Sequence, residues 1–355
     1  MDVINILAEG VSRGASDIFI ISGLPVSYKV NGNIQRLEAE RLMPDDTKEI
    51  IENMYNLAND RNISLLVNGG DDDFSFSVKN LSRFRVNTYK QRGSLAAIIR
   101  VISFELPEYS KLNIPENVMS IADFNNGFVL VTGPAASGKS TTLACIVNAV
   151  NESRDGHIIT LEDPIEYLHK HKKSVVSQRE VPMGTPSYVV ALMAALRQSP
   201  DMILIGEMRD SDTIRTAVTA AETGHFVIST LHTIGAANTI DRIIDAFPEQ
   251  QQQQIRVQLS MVLRAVVSQQ LIPTVDGKVV PAFEVMFINS AIRNMIRESK
   301  IHQIDSAIFS SGDENMISMD TSIYNLYKSG RISSENALLY SINKELMQKK
   351  INANV

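Results

Sequence analysis

Apolar positions along this chain change their spacing several times, and each change marks a new element. In residues 1–14, Val3, Ile6, Leu7 and Val11 recur at three- and four-residue steps, the stripe of a short helix with one buried face. Ile18-Phe19-Ile20-Ile21 then forms a compact apolar strand. Tyr28-Lys29-Val30 with Ile34-Gln35-Arg36-Leu37 predicts a hairpin turning at Asn31-Gly32-Asn33. A helix is predicted from about Pro44 to Leu57, followed by an acidic turn at Asp71-Asp72-Asp73, where solvated carboxylates outweigh a cation site. From Ser82 to Tyr89 the period is two, with Phe84, Val86 and Thr88 on one face and arginines on the other. Leu95 to Ile102 pairs with that strand through a turn at Arg92-Gly93, a register that sets Arg85 opposite Arg100. Like charges so opposed cost stability unless an anion or a carboxylate lies beside them. A phosphate held by two guanidinium forks and a salt bridge to acidic neighbours are both open.

Phe104-Glu105-Leu106-Pro107-Glu108-Tyr109-Ser110-Lys111 combines proline and charge without a period, the mark of a linker. Beyond it short apolar runs alternate with helical patterns. From Ala291 onwards the chain is helical, with helices predicted at 290–300, 301–308, 319–329 and 333–347. The fold class predicted is α/β, in four parts: a small α+β domain over 1–103, a linker over 104–115, an α/β core over 116–290 and a helical C-terminal region over 291–355.

The chemistry concentrates where the first buried strand of the core ends. Phe128-Val129-Leu130-Val131 is that strand, and Thr141-Thr142-Leu143-Ala144 onwards suits a helix. Between them Gly133, Pro134, Ala135, Ala136, Ser137, Gly138, Lys139 and Ser140 satisfy G-x-x-x-x-G-K-[ST], and Thr141 closes the candidate nucleotide-binding stretch. Strand, glycine-cornered loop and helix N-terminus direct backbone N–H groups and a positive dipole end at one point, which suits a phosphate. Lys139 would reach the β- and γ-phosphates of ATP, and the Ser140 hydroxyl would ligate Mg²⁺. Two further apolar strands deliver carboxylates at their ends: His157 to Leu161 runs into Glu162, and Met202 to Ile205 into Gly206-Glu207. Such positions border the nucleotide crevice of a parallel sheet, where a carboxylate can hold Mg²⁺ and orient water. Phe226 to Leu231 repeats the pattern with His232, a candidate γ-phosphate sensor. Ile214, Ala217, Val218 and Ala221 mark an amphipathic helix between them. Gln250 to Gln254 open another helix rather than a low-complexity tract.

Composition narrows the picture by exclusion. At 355 residues the chain is long for one domain, and 44% hydrophobic with 21% charged residues is ordinary for a globular protein. A net charge of −6 disfavours a dedicated nucleic-acid binder, which needs clustered cations. The single cysteine, Cys145, excludes an internal disulfide or a multi-cysteine zinc site and fits a small buried residue in a reducing compartment. Met1-Asp2-Val3-Ile4-Asn5 has no basic n-region, and no apolar run approaches the roughly 20 residues of a transmembrane segment, so the expectation is a cytoplasmic protein.

These residues carry a resemblance over nearly the whole chain, from Ala15-Ser16-Asp17 to about Asn336. The sequence is similar to the secretion-superfamily ATPases and, within them, to the PilT-type ATPases that retract type IV pili in twitching motility. Its marks are the 133–140 loop, Thr160-Leu161-Glu162-Asp163-Pro164-Ile165-Glu166, Gly206-Glu207-Met208-Arg209-Asp210, and Thr223-Gly224-His225 with Thr230-Leu231-His232-Thr233. Arg197 to Asp201 and Ile240 to Ile243 also fit. Ala291-Ile292-Arg293-Asn294-Met295-Ile296 resembles the motif that separates retraction from extension motors. Met295 stands there for leucine, an exchange that keeps volume and apolarity. Phe19 replaces the family's usual histidine, which affects a first-domain contact only.

The resemblance implies a homohexameric ring in which a PAS-like first domain precedes a RecA-like core, with ATP bound between the two. It implies Glu162 as general base, Glu207 as Walker B carboxylate and Mg²⁺ ligand with Ser140, His232 as γ-phosphate sensor, and Arg85 and Arg100 as phosphate-facing arginines. The partner it implies is a pilus platform protein of the inner membrane, met from the cytoplasmic side, with no direct nucleic-acid contact. Other readings are a pilus-extension, type II or type IV secretion ring, a DNA-translocating motor, and a nucleotide-dependent switch without turnover. The first group usually carries an extra N-terminal domain and a four-cysteine insertion, or lacks the 291–296 motif. The acidic balance disfavours the DNA motor, and the presence of both Glu162 and Glu207 disfavours the switch.

Overall fold

The computed structural model describes residues 2–30, 32–36, 40–102, 106–181, 184–310 and 315–353. The turn residue Asn31, the hairpin end Leu37 and the linker residues Phe104 and Glu105 lie outside the described residues. The chain divides into two compact units, residues 1–105 with 166–168, and residues 106–165 with 169–355. Among the described residues no helix is long and apolar enough to cross a membrane.

In the first unit α1 (Val3–Ser12) and α2 (Pro44–Leu57) accompany an antiparallel sheet. Its strands are β1 (Asp17–Ile20), β2 (Ser27–Val30), β3 (Asn33–Arg36), β4 (Asp71–Val78), β5 (Ser82–Gln91) and β6 (Ser94–Ile102), in the order β3-β2-β1-β6-β5-β4. Helix α2 starts where the sequence predicts. Pro44 occupies the first turn, and the Asp46 carboxylate there accepts the Met43 N–H at 2.7 Å. Its buried stripe of Ile50, Ile51 and Met54 joins Leu7, Ile18 and Phe84 in the core of the unit. The acidic turn expected at Asp71-Asp72-Asp73 is instead the start of β4. Asp72 is buried there because Arg61 grips both carboxylate oxygens, at 2.9 and 2.8 Å, and the Tyr55 hydroxyl donates at 2.9 Å.

The second unit is a parallel sheet with helices on its faces, closed by an antiparallel edge hairpin. Its elements are α3 (Glu116–Met119), β7 (Gly127–Thr132), α4 (Lys139–Ser153), β8 (His157–Glu162), β9 (Val175–Glu180), α5 (Tyr188–Ala195), β10 (Met202–Ile205), α6 (Ser211–Glu222), β11 (Phe226–Leu231), α7 (Ala236–Asp245), α8 (Glu249–Val262), β12 (Leu263–Pro273) and β13 (Val279–Phe287). The strand order is β13-β12-β7-β11-β10-β8-β9. Strands β7, β10 and β11 are buried along their whole length, as central parallel strands must be. Because β10 and β11 lie between β7 and β8, the C-terminal ends of β7, β11, β10 and β8 stand side by side, at the edge where such sheets bind ligands. Ile114 from the predicted linker is buried against the second core, and Cys145 is buried beside Pro107, which pushes its thiol up to about 11.

The C-terminal helices are α9 (Ser290–Arg297), α10 (Ile304–Ser310), α11 (Met319–Lys328), α12 (Ser334–Tyr340) and α13 (Lys344–Asn352). The single helix expected over 333–347 is therefore two. Asp320 of α11 accepts the N–H groups of Ile342 and Asn343 at 2.7 and 2.9 Å, and Asn343 caps a fresh helix through the Leu346 N–H. In α9, Ile292 and Ile296 are fully buried in the core while Ala291 and Asn294 face outwards.

Candidate functional site

The loop after β7 has its shape because two glycines meet a neighbouring strand. Gly133 has φ 145°, and a β-carbon added there would lie 2.1 Å from the carbonyl oxygen of Gln269 on β12. Gly138 has φ 88°, and its β-carbon would lie 2.8 Å from the Gln269 carboxamide nitrogen. Gln269 also accepts the Thr142 hydroxyl at 2.7 Å, so one buried side chain supports both the loop and the first turn of α4. Lys139 begins α4 and is only 8% exposed, with Nζ donating to the carbonyls of Gly133 and Pro134 at 2.9 and 2.8 Å. The Ser137 hydroxyl is buried in the loop without a hydrogen-bond partner. An orphaned hydroxyl, a lysine ammonium and a helix N-terminus around one concave loop fit a bound phosphate chain.

Two other predicted residues, His232 and Glu207, are linked to this loop through a chain of contacts. His232, just after β11, brings Nδ1 to 3.5 Å from Lys139 Nζ and Nε2 to 3.6 Å from Glu207 Oε2. A lysine ammonium only donates, so this arrangement favours an imidazole with its proton on Nε2, facing the carboxylate. Glu207, just after β10, also pairs with Arg209. Lys139, His232, Glu207 and Arg209 thus form one chain across the ends of β7, β11 and β10. Glu162 ends β8, where its Oε1 accepts the Thr160 hydroxyl at 2.5 Å and the Gln178 amide at 3.2 Å. The donors that the sequence offers for Mg²⁺ would be an alcohol, Ser140, and a carboxylate, Glu207. Among the described residues no group of three His, Cys, Asp or Glu could hold a metal. That sparse set fits a cation that keeps waters and binds chiefly through substrate phosphates.

Arg85 and Arg100 stand directly opposite each other in the first unit, in the register that alternation predicts. Each has a carboxylate: Arg85 forks onto Asp73 at 3.1 and 2.7 Å, and Arg100 Nε lies 3.3 Å from Asp17. The salt-bridge arrangement is therefore the one present. His225 sits at the start of β11, the opposite end from His232, where it bonds to the Ala220 carbonyl.

Three residues near the strand ends escaped the sequence reading. Gln269 and Gln178 lie on strands that it did not assign; a glutamine within an apolar run was the available signal for the first. Tyr188, at the start of α5, buries a hydroxyl that has no hydrogen-bond partner. Burial, and then the charges of Glu207, Asp163 and Glu162, hold its pKa well above the usual phenol value. A tyrosine in an apolar helix pattern gives no hint of that setting.

Comparison with known proteins adds to this geometry. A family model described as "Type II/IV secretion system protein" matches residues 2–325. The chain is 43% identical to the type IV pilus retraction ATPase PilT of Pseudomonas aeruginosa, over 95% of this chain and 97% of that protein. It is 41% identical to a twitching motility protein of Neisseria gonorrhoeae, over 97% of this chain and 92% of the other. The crystal structure of the pilus retraction motor PilT with bound ADP superposes with a TM-score of 0.90 at 43% identity, covering 98% of this chain and 99% of that one.

Proposed function

The chain belongs to the family of type II/IV secretion system proteins, and from that premise we propose that it is an ATP-hydrolysing motor that powers type IV pilus retraction. One observation carries the reading: the loop lysine Lys139, His232 and Glu207 are brought into a single chain at the ligand-binding edge of the parallel sheet. Near-complete coverage of a pilus retraction ATPase at 43% identity supports the motor role. The ADP bound to the similar retraction motor supports adenine nucleotide as the ligand.

In this reading residues 133–141 hold the triphosphate, with Lys139 exchanging the loop carbonyls for phosphate oxygens. Ser140 and Glu207 would hold Mg²⁺, which supplies positive charge to the β- and γ-phosphates. Glu162 accepts the proton of the attacking water. His232 lies between Lys139 and Glu207, so loss of a γ-phosphate beside Lys139 is felt directly at its ring. Arg85 and Arg100 are the phosphate-facing arginines and would leave Asp73 and Asp17 to act. The proposed working unit is a homohexamer of PAS-like domains (1–103), linkers (104–115), RecA-like cores (116–290) and helical C-terminal regions (291–355). It would work in the cytoplasm, peripherally on the inner face of the membrane, against a pilus platform protein.

Turnover of ATP with Mg²⁺, and its loss by about 100-fold or more in Glu207→Gln with nucleotide still bound, tests the enzyme. Deleting the gene in its host tests the load. Loss of surface motility with more surface pili is expected; loss of pili would point to an extension motor.

A further inference from the structure

We infer that Gln178 is a positioning residue that holds the Glu162 carboxylate in its working orientation. The inference rests on the proposed role of Glu162 as general base. Strand β9 runs parallel to β8, and Thr160 is the register partner of Gln178. Side chains two apart share a sheet face, so Thr160, Glu162 and Gln178 project on the same side. The Gln178 carboxamide bridges two fixed groups. Its Oε1 accepts the backbone N–H of His169 at 2.8 Å, and its Nε2 donates to Glu162 Oε1 at 3.2 Å.

The amide has only one orientation consistent with these partners. A backbone N–H can only donate, so the atom facing His169 is the oxygen, and the NH₂ is left to face the carboxylate. The Thr160 hydroxyl donates to the same carboxylate oxygen at 2.5 Å. Two donors on Oε1, from two adjacent strands, restrict rotation of the carboxylate about its last torsion. A flexible glutamate at a strand end would otherwise sample several rotamers, and catalysis by a base depends on its aim at the water. The His169 N–H belongs to the segment connecting β8 to β9, so the connection itself anchors the device.

Two variants of the full chain test this, with Glu162→Gln as reference. Gln178→Met keeps volume and removes both hydrogen bonds. Gln178→Glu keeps an acceptor for His169 and replaces the donor to Glu162 by a repelling oxygen. Affinity for a fluorescent ATP analogue and the single-turnover rate of ATP hydrolysis are measured for each. The expected result is affinity within about twofold of the parent and hydrolysis slowed by about 10- to 100-fold in both variants. Combined with Glu162→Gln, either change is expected to cause no further loss, because its effect passes through Glu162. Parental hydrolysis in Gln178→Met, or an equal loss in the Glu162→Gln background, overturns the inference. If Glu162→Gln alone hydrolyses ATP at the parental rate, the general-base reading fails and the inference goes with it. If Glu162→Gln is inactive and Gln178→Met is not, the inference alone fails.

Discussion

Acidification is expected to destabilise the second unit through His169, and both sign and size follow from its burial. The imidazole is partly buried, its Nδ1 wholly so and without a hydrogen-bond partner, and this desolvation, helped by the Lys172 charge, pushes its pKa down to about 4 from an ordinary 6.5. In the unfolded chain the ring takes up its proton near 6.5. Between those values the unfolded state binds more protons than the folded one. The stability contribution is therefore complete above 6.5 and is lost as pH falls towards 4. The full gap corresponds to about 3 kcal/mol, of which about 2 kcal/mol is lost between pH 8 and pH 5. The assay is urea unfolding at pH 8 and pH 5, for the parent and for His169→Gln. The variant cannot charge and keeps the backbone N–H that anchors Gln178. Every other titrating group is common to both chains and cancels in the comparison. The parent is expected to lose about 2 kcal/mol more than the variant over this interval. Equal losses would refute the desolvated, neutral state of the His169 ring.

Two other substitutions have outcomes that follow from contacts already described. Gly133→Ala forces a β-carbon to within 2.1 Å of the Gln269 carbonyl at φ 145°. It is expected to lower nucleotide affinity at least about tenfold and stability by about 1–3 kcal/mol, read by analogue titration and thermal melting; unchanged affinity would show that the loop does not hold the ligand. Tyr188→Phe removes the unpartnered buried hydroxyl. It is expected to leave ATP turnover within a few-fold and to raise stability by up to about 1 kcal/mol. A turnover loss beyond about 100-fold would instead assign the phenol a part in the chemistry.

Legibility in the sequence followed the range of the interactions. Helix α2 was readable because Pro44, the early aspartates and a four-residue apolar stripe are all local signals. The Arg85–Arg100 pairing was readable because a hairpin turn sets its own register. The division of the tail helix at 341–343 was not, because the competing acceptor, Asp320, lies about twenty residues earlier. The acidic triplet misled for the same reason. Three adjacent aspartates suggest water, and only the approach of Arg61, Tyr55 and Arg85 turns them into a strand with a buried carboxylate.

By itself the sequence determined the glycine-cornered loop over residues 133–140, the strands that carry Glu162, Glu207 and His232, and the family resemblance. Each rests on residue types at short spacing, where glycine dihedrals and apolar periodicity act without distant help. Tertiary structure alone decided that His232 stands between Lys139 and Glu207, that Gln269 supports the loop, and that Gln178 and Thr160 converge on one oxygen of Glu162. Those contacts depend on strand order, which places β11 and β12 on either side of β7 although three strands separate β7 from β11 in sequence. Parallel strands are joined through long crossovers, so no local pattern specifies which strand becomes the neighbour.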